Sequence, residues 1–351
     1  MGAATDRADL AIWGFAFGYF ACYWPYSALT KAVTDGSYPG MEAGIPGAQL
    51  LPLTAMASLV GMFAFITAMR WWRHAGRRTV LGVSIPFPGR WTFMSGLCTA
   101  AIIPTTTLAY TFDGVSIVFM MLLMRGGVLI VAPIVDRVSR RRVRWFSWMA
   151  LGLSLGALVV AFAGKASFAI TVVAAVDVAI YLAAYFVRLR FMSRIAKSDD
   201  LDARTRYFVE EQMTATPVLV LSLGVMALIG SGDFMATVRD GFTAIWGSGM
   251  VAEGLVIGLF SQGTGIFGSL ILLDRRENTY CVPVNRSSSV LAGILATLSL
   301  TVLLGTKPPP WTEFAGAAMI VLAIVTLSLP APAAARRPAT TGANRSNAAP
   351  R

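Results

Sequence analysis

Apolar stretches of about 20 residues follow one another along almost the whole chain, and this restricts the fold more than any other feature. A stretch of that length crosses the hydrocarbon core of a bilayer as an α-helix. Only 13% of the residues are charged, roughly half the share of a soluble domain. We therefore predict a membrane protein with ten transmembrane helices, at approximately 9–30, 47–69, 91–111, 115–136, 145–163, 168–187, 208–230, 247–272, 280–304 and 312–330.

The basic residues are distributed unequally between the connections of these helices. Two of the 29 lie within predicted helices, Arg125 and Arg286, and four lie in odd-numbered connections, namely Lys31, Lys165, Arg239 and Lys307. The other 23 lie in the termini and the even-numbered connections. Such an excess marks cytoplasmic loops. We therefore predict an inner (plasma) membrane protein with both termini cytoplasmic, and topology, not nucleic-acid binding, explains the net charge of +11.

Two parts of the chain repeat one pattern. Arg125 is followed by a connection and Trp145, and Arg286 is followed by a connection and Trp311. The arginines are 161 residues apart and the tryptophans 166. A weaker similarity joins residues 9–13 to residues 177–181, 168 residues further along.

A unit of five membrane-spanning helices is odd-numbered, so it begins at one face of the membrane and ends at the other. A second copy that follows it must therefore be inverted relative to the first. Inverted repeats of this kind are typical of secondary transporters, whose sites lie near the bilayer midplane. We predict one five-helix repeat in residues 1–163 and another in residues 164–330. Residues 331–351 lack an apolar pattern and are predicted to form a disordered cytoplasmic tail.

The arrangement of five plus five helices, together with residues 133–153, resembles the drug/metabolite transporter superfamily and its EamA-like members. That family usually has an acidic residue in the turn after the fourth helix, where this chain has a run of arginines. Residues 279–293 are similar to the Asn-Lys motif of nucleotide-sugar transporters, with Asn285 and Arg286 at the motif positions. The resemblance implies a transporter in which these two residues face the substrate.

Arg125 and Arg286 are the strongest candidates for a binding site. A charge inside a bilayer is costly and is tolerated where it faces a wet cavity or a partner. We predict that both guanidiniums bind an anionic group of the substrate, since their planar forks suit carboxylate or phosphate. The alternative is a fixed internal counter-ion, such as Asp177, Glu210 or Glu211. Asp177 is the best acidic residue inside a helix, as this counter-ion or as a proton-coupling group, whereas the two glutamates are predicted at a solvated helix start.

Further residues could complete such a site. Tyr23 belongs to an aromatic cluster with Tyr19, Trp24 and Tyr26, interpreted first as an interfacial belt and alternatively as a stacking wall for a ring-bearing substrate. Thr106 follows a helix-interrupting proline, and Gln262 lies in a Gly-rich stretch of the eighth helix that we expect to be loosened.

The favoured function is secondary transport of a small organic metabolite, and the two arginines inside the helices lead us to expect an anion. Flipping of an anionic or polyprenyl-phosphate lipid is an alternative, and a receptor or structural protein is an alternative of another class. An enzyme is not expected, because the only histidine, His74, lacks a second catalytic group. We expect no cofactor, metal or nucleic acid, and leave a homodimer open.

Overall fold

The computed structural model describes residues 2–80, 82–108, 117–162, 172–197, 200–306, 308 and 311–328. These residues form eleven α-helices and one short hairpin. The helices are α1 (Gly2–Thr34), α2 (Gly47–Ala68), α3 (Arg90–Leu108), α4 (Ile117–Val138), α5 (Trp145–Phe162), α6 (Val172–Phe191), α7 (Leu201–Ile229), α8 (Gly232–Phe242), α9 (Val251–Leu272), α10 (Asn278–Leu304) and α11 (Trp311–Ser328). The predicted tail lies outside the described residues.

Apolar helices dominate the molecule, as predicted. Each of the ten expected helices has a counterpart, and α2, α7, α9 and α10 are long and apolar enough to cross a membrane, judged on the described residues. The fold class of a helical protein with membrane-type helices is therefore confirmed at this level.

Three local features differ from the sequence expectation. The strands β1 (Arg77–Val80) and β2 (Val83–Pro86) pair antiparallel between α2 and α3. The short helix α8 was not predicted, because its 11 residues include charged positions and are too few for an apolar span. Helix α7 begins seven residues earlier than expected, at a start capped by the Asp200 side chain, which accepts a hydrogen bond from the backbone N–H of Asp202 at 2.9 Å.

The early start of α7 corrects the prediction for two glutamates. Glu210 and Glu211 lie in the body of the helix and not at a solvated helix start, and their exposed fractions are 2% and 0%. The polar beginning of α7 concealed this from a hydropathy pattern, although its Tyr207 and Phe208 side chains are fully buried.

The long helices pack in pairs that cross between the two halves of the chain. Helix α1 contacts α9 and α10, and helix α6 contacts α3 and α4. Helix α2 packs on α9, α7 packs on α3, and α5 packs on α11. The core therefore joins both halves along most of their helices.

Two glycines allow the close approach of these helices. A Cβ atom added at Gly258 of α9 would lie 2.5 Å from the Ala57 Cβ and 2.5 Å from the Thr54 carbonyl oxygen of α2. A Cβ added at Gly96 of α3 would lie 2.5 Å from the Thr214 Cβ and 2.9 Å from the Glu211 carbonyl oxygen of α7. Small residues let helix backbones approach in this way within membranes.

The Arg-rich connections meet at one end of the helix bundle, which we call the basic end. Its described residues are 69–80, 82–89, 139–144, 192–197, 200 and 273–277. The Arg141 guanidinium donates to the backbone carbonyl of Arg275, and Lys197 Nζ donates to that of Arg276 at 2.9 Å. Asp136, fully buried at the end of α4, accepts four hydrogen bonds of 2.7–2.9 Å from the backbone and side chains of Asn278 and Thr279. The N-terminus of α10 is thus capped by another helix.

Glu277, next to this cap, gives a prediction for low pH. Burial raises the pKa of its carboxyl, but hydrogen bonds from Arg144 and Ser147 outweigh burial and hold the pKa below its ordinary value. A lowered pKa contributes stability above the ordinary carboxyl value of about 4.3, and this stability is lost as the pH falls through the folded-state pKa. We expect thermal unfolding to separate wild type from Glu277→Gln at about pH 6 and to bring them together near pH 3. A separation that does not change with pH would contradict this.

Candidate functional site

A cavity of about 340 Å³ lies inside the bundle, between the two halves of the chain. Most of the residues predicted for a binding site line this central cavity: Arg125, Arg286, Asn285, Tyr23 and Gln262. The side chain of Thr106 lies outside the described residues. The cavity therefore brings together predicted residues from α1, α4, α9 and α10.

Each of the two predicted arginines is paired with a tyrosine. Arg125 Nη2 donates a hydrogen bond of 2.9 Å to the hydroxyl of Tyr23. The Arg286 guanidinium lies 5.0 Å from the centre of the Tyr185 ring, a cation–π contact, and its buried Nε has no hydrogen-bond partner in the described structure. The Nε–H group of Arg286 can therefore donate a hydrogen bond to a ligand.

Tyrosines form the walls between the two guanidiniums. The Tyr19 and Tyr23 ring centres are 5.6 Å apart, and those of Tyr181 and Tyr185 are 4.9 Å apart. Tyr19, Arg125 and Arg286 all line this cavity, so both positive charges face the same space. The cavity is at once aromatic and basic.

The aromatic cluster of α1 is thus not an interfacial belt for three of its four members. Tyr19, Tyr23 and Tyr26 line the central cavity. Trp24 points away from it and donates from its indole nitrogen to Ser299 Oγ at 3.0 Å. The helical spacing separates them, because residues at i and i+4 share a face and Trp24 lies on another.

A third arginine, Arg188 of α6, also lines the cavity and was missed from the sequence. Its Nε and Nη2 donate to Glu211 at 2.9 and 3.0 Å, and Nη2 also donates to Ser269 Oγ at 2.9 Å. The Glu211 side chain is fully buried behind it, and the Arg188 side chain is 6% exposed. Because hydropathy ends the sixth helix at residue 187, Arg188 was counted with a basic connection; a helix extended by one turn would have placed it inside.

Two of the expected counter-ions pair with other arginines. Glu211 pairs with Arg188, and Glu210 accepts from Arg206 Nε at 2.7 Å. The third, Asp177, is buried in α6 and is not among the residues that line the central cavity. Its role as a counter-ion or a coupling group stays a prediction.

The Gly-rich stretch of the eighth predicted helix is not loosened. Helix α9 continues through it without interruption, because its glycines serve packing: a Cβ atom at Gly263 would lie 2.5 Å from Cys22 Sγ. Gln262 still lines the cavity, and its Nε2 lies 3.5 Å from Met62 Sδ. Asn285 Nδ2 donates to the Gly268 carbonyl at 3.5 Å.

A second cavity of about 520 Å³ lies at the basic end. Its lining includes His74, Trp91, Asp202, Tyr207 and Glu210. His74 Nδ1 lies 3.3 Å from a carboxylate oxygen of Asp202. Several titratable side chains therefore line the second cavity.

Comparison with known proteins identifies a fold but no family. No protein-family model and no curated protein matches the chain. Among solved structures 27 chains match, and one crystal structure aligns over 90% of this chain and 98% of its own length, with a TM-score of 0.52 and 16% sequence identity. At this identity the similarity concerns the fold alone.

Proposed function

We propose that this protein is a secondary transporter that moves a small, ring-bearing organic anion across the inner membrane by alternating access. The observation that carries the proposal is the central cavity, where Arg125 and Arg286 stand among tyrosines in the interior of a membrane-type bundle. Guanidinium groups suit carboxylates and phosphates, and tyrosine rings suit a flat apolar group.

The contacts of the two halves support an inverted repeat of five helices each, with α8 as an insertion. The pairs α1 with α9 and α2 with α9 correspond to α6 with α3 and α7 with α3. Helices α5 and α11 both have 18 residues and begin with tryptophans 166 residues apart. Inverted repeats place a binding site between them, where the central cavity is found.

Individual side chains repeat at nearly one spacing. The correspondences are Tyr19 with Tyr181 and Tyr23 with Tyr185 at 162 residues, Arg125 with Arg286 at 161, and Gly96 with Gly258 at 162. Among these matched residues, each half contributes two tyrosines and one arginine to the cavity and one glycine to a helix crossing. We prefer this spacing of 161–162 residues to the 168-residue similarity between residues 9–13 and 177–181. It matches side chains that line the same cavity and glycines that lie at corresponding helix crossings.

The membrane orientation follows from the same proposal. The even-numbered connections contact one another at the basic end, and an excess of Arg and Lys marks the cytoplasmic face. The basic end would then face the cytoplasm, with both termini on that side.

A set of ligands with one ring and different charges tests the anion specificity. We expect benzoate or benzenesulfonate to raise the unfolding temperature of the purified protein in detergent by about 2 °C or more near saturation. Benzamide and benzylamine should not. Arg125→Gln and Arg286→Gln should each weaken anion binding at least about tenfold, equivalent to about 1.4 kcal/mol.

Arg137→Gln is the matched control, because Arg137 lies exposed on the same helix as Arg125. It should bind the anions as wild type does. Stabilisation by benzylamine alone, or unchanged anion binding by both cavity variants, would overturn the proposal and leave the arginines a structural role.

A further inference from the structure

One chain of hydrogen bonds connects the two cavities. Tyr207, which lines the second cavity, donates from its hydroxyl to Ser95 Oγ at 2.6 Å. Ser95 Oγ donates to Glu211 Oε1 at 2.6 Å, and Glu211 pairs with Arg188, which lines the central cavity. A carboxylate thus stands between the central cavity and the second cavity at the basic end.

The surroundings of Glu211 offer few other charges in the described structure. Helix α6 contributes Arg188, with Tyr185 behind it, and helix α3 contributes Cys98 together with the hydroxyls of Ser95 and Thr99. Its own helix contributes Tyr207. The neighbouring Glu210 is turned to other donors, the backbone N–H groups of Gly76 and Gly89. Arg188 is therefore the cation on which the charge of Glu211 depends.

We propose that Glu211 is the group that couples proton movement to anion movement, with Arg188 as the shared partner. This inference rests on the proposed transport of anions and adds the coupling ion to it. The anion competes with Glu211 for the Arg188 guanidinium, and Glu211 takes up a proton when it loses that partner.

The step balances in charge and atoms. The two N–H···O bonds from Arg188 to Glu211 break, and the guanidinium donates to an oxygen of the incoming anion instead. One proton from water of the second cavity passes to the Glu211 carboxylate by way of the Tyr207 and Ser95 hydroxyls, each of which passes on one proton and receives one. One anion and one proton are gained together, and the reverse sequence releases both.

The cost of a buried charge drives the proton uptake. A carboxylate that is removed from water and has lost its ion-pair partner is strongly destabilised, and it becomes neutral by binding a proton. Ser95 and Thr99 remain as hydrogen-bonding groups for the neutral acid. The buried pair therefore links two binding events.

Proton uptake during anion binding tests the coupling. Benzoate or benzenesulfonate, which stay ionised near neutral pH, are added to the purified protein in weakly buffered detergent solution with a pH-indicator dye. We expect about one proton to be taken up per anion bound by wild type, and none by Glu211→Gln, which should still bind the anion. Glu277→Gln is the matched control: this carboxylate is also buried, paired with an arginine through two bonds and bonded to a serine, and its variant should take up one proton.

The rate of proton uptake tests the hydrogen-bonded pathway separately from Glu211, the proton acceptor. This test does not require the Glu211→Gln variant to fold. Ser95→Ala leaves the ion pair in place and interrupts the chain, so stopped-flow proton uptake should slow at least about tenfold while the final stoichiometry stays the same. Anion binding by wild type without proton uptake would overturn the coupling and leave the anion transporter standing. Failure of both anions to bind would overturn the proposed function and this inference with it.

Discussion

Replacing Arg188 by methionine is expected to lower the free energy of unfolding by about 3–5 kcal/mol, the cost of leaving a buried carboxylate without its partner. Glu211 is fully buried and receives two of its hydrogen bonds from Arg188. Methionine keeps much of the side-chain volume, so the loss reports the charge and not a cavity. Denaturation by heat, or by SDS in mixed micelles, measures the difference.

The opposite variant separates this explanation from simple loss of packing. Glu211→Gln leaves the Arg188 guanidinium at the wall of the central cavity with the glutamine carbonyl as an acceptor, so we expect it to cost less than Arg188→Met, no more than about 2 kcal/mol. The double variant Arg188→Met with Glu211→Gln should recover most of the stability, because no unpaired charge remains. A double variant less stable than Arg188→Met alone would contradict the electrostatic account.

Asp136→Ala is expected to have the second large effect, a loss of about 3 kcal/mol or more. The substitution removes the acceptor of four hydrogen bonds from Asn278 and Thr279, two of them from backbone N–H groups at the start of α10. Those donors are buried, and donors left without partners carry the full cost of desolvation. The same denaturation assays apply.

Asp35→Ala serves as the control for removal of an acidic side chain. Asp35 forms an ion pair of 2.9 Å with Lys31, but both side chains are about half exposed. Exposed pairs contribute between about 0 and 1 kcal/mol, so this variant should resemble wild type. If Asp136→Ala lowered the free energy of unfolding no more than Asp35→Ala does, the cap on α10 would not contribute to stability.

Hydropathy and charge predicted the helices well, because apolar length depends on composition alone. Both central arginines were found for a related reason: an isolated charge in an apolar stretch is conspicuous, and Arg125 and Arg286 do line one cavity. Features that depend on helix ends were not predictable in the same way. The polar start of α7 hid the burial of Glu211, and the last turn of α6 hid Arg188.

Facing directions were also beyond the sequence. Adjacent aromatic residues of α1 diverge, with Tyr23 towards the cavity and Trp24 away from it. Asp177 looked like a natural counter-ion for Arg125, yet it is not among the residues that line the cavity with Arg125. Which carboxylate meets which guanidinium depends on the rotation of each helix about its axis, and a sequence pattern of mixed apolar residues leaves that rotation undetermined.

If the two halves of a carrier were identical, its empty inward-facing and outward-facing states would be equivalent by symmetry and equally populated. At the 162-residue spacing Arg188 corresponds to Tyr26 in the first half. Thr54 approaches Gly258 as Glu211 approaches Gly96, so Thr54 holds the place of Glu211. Tyr26 and Thr54 cannot form an ion pair. In the proposed transporter the Arg188–Glu211 ion pair would therefore exist in one half only, and the empty carrier would favour the orientation in which this pair is formed. A preference for binding substrate from one side of the membrane, known as rectification, would then depend on one pair of side chains that the other half of the repeat lacks.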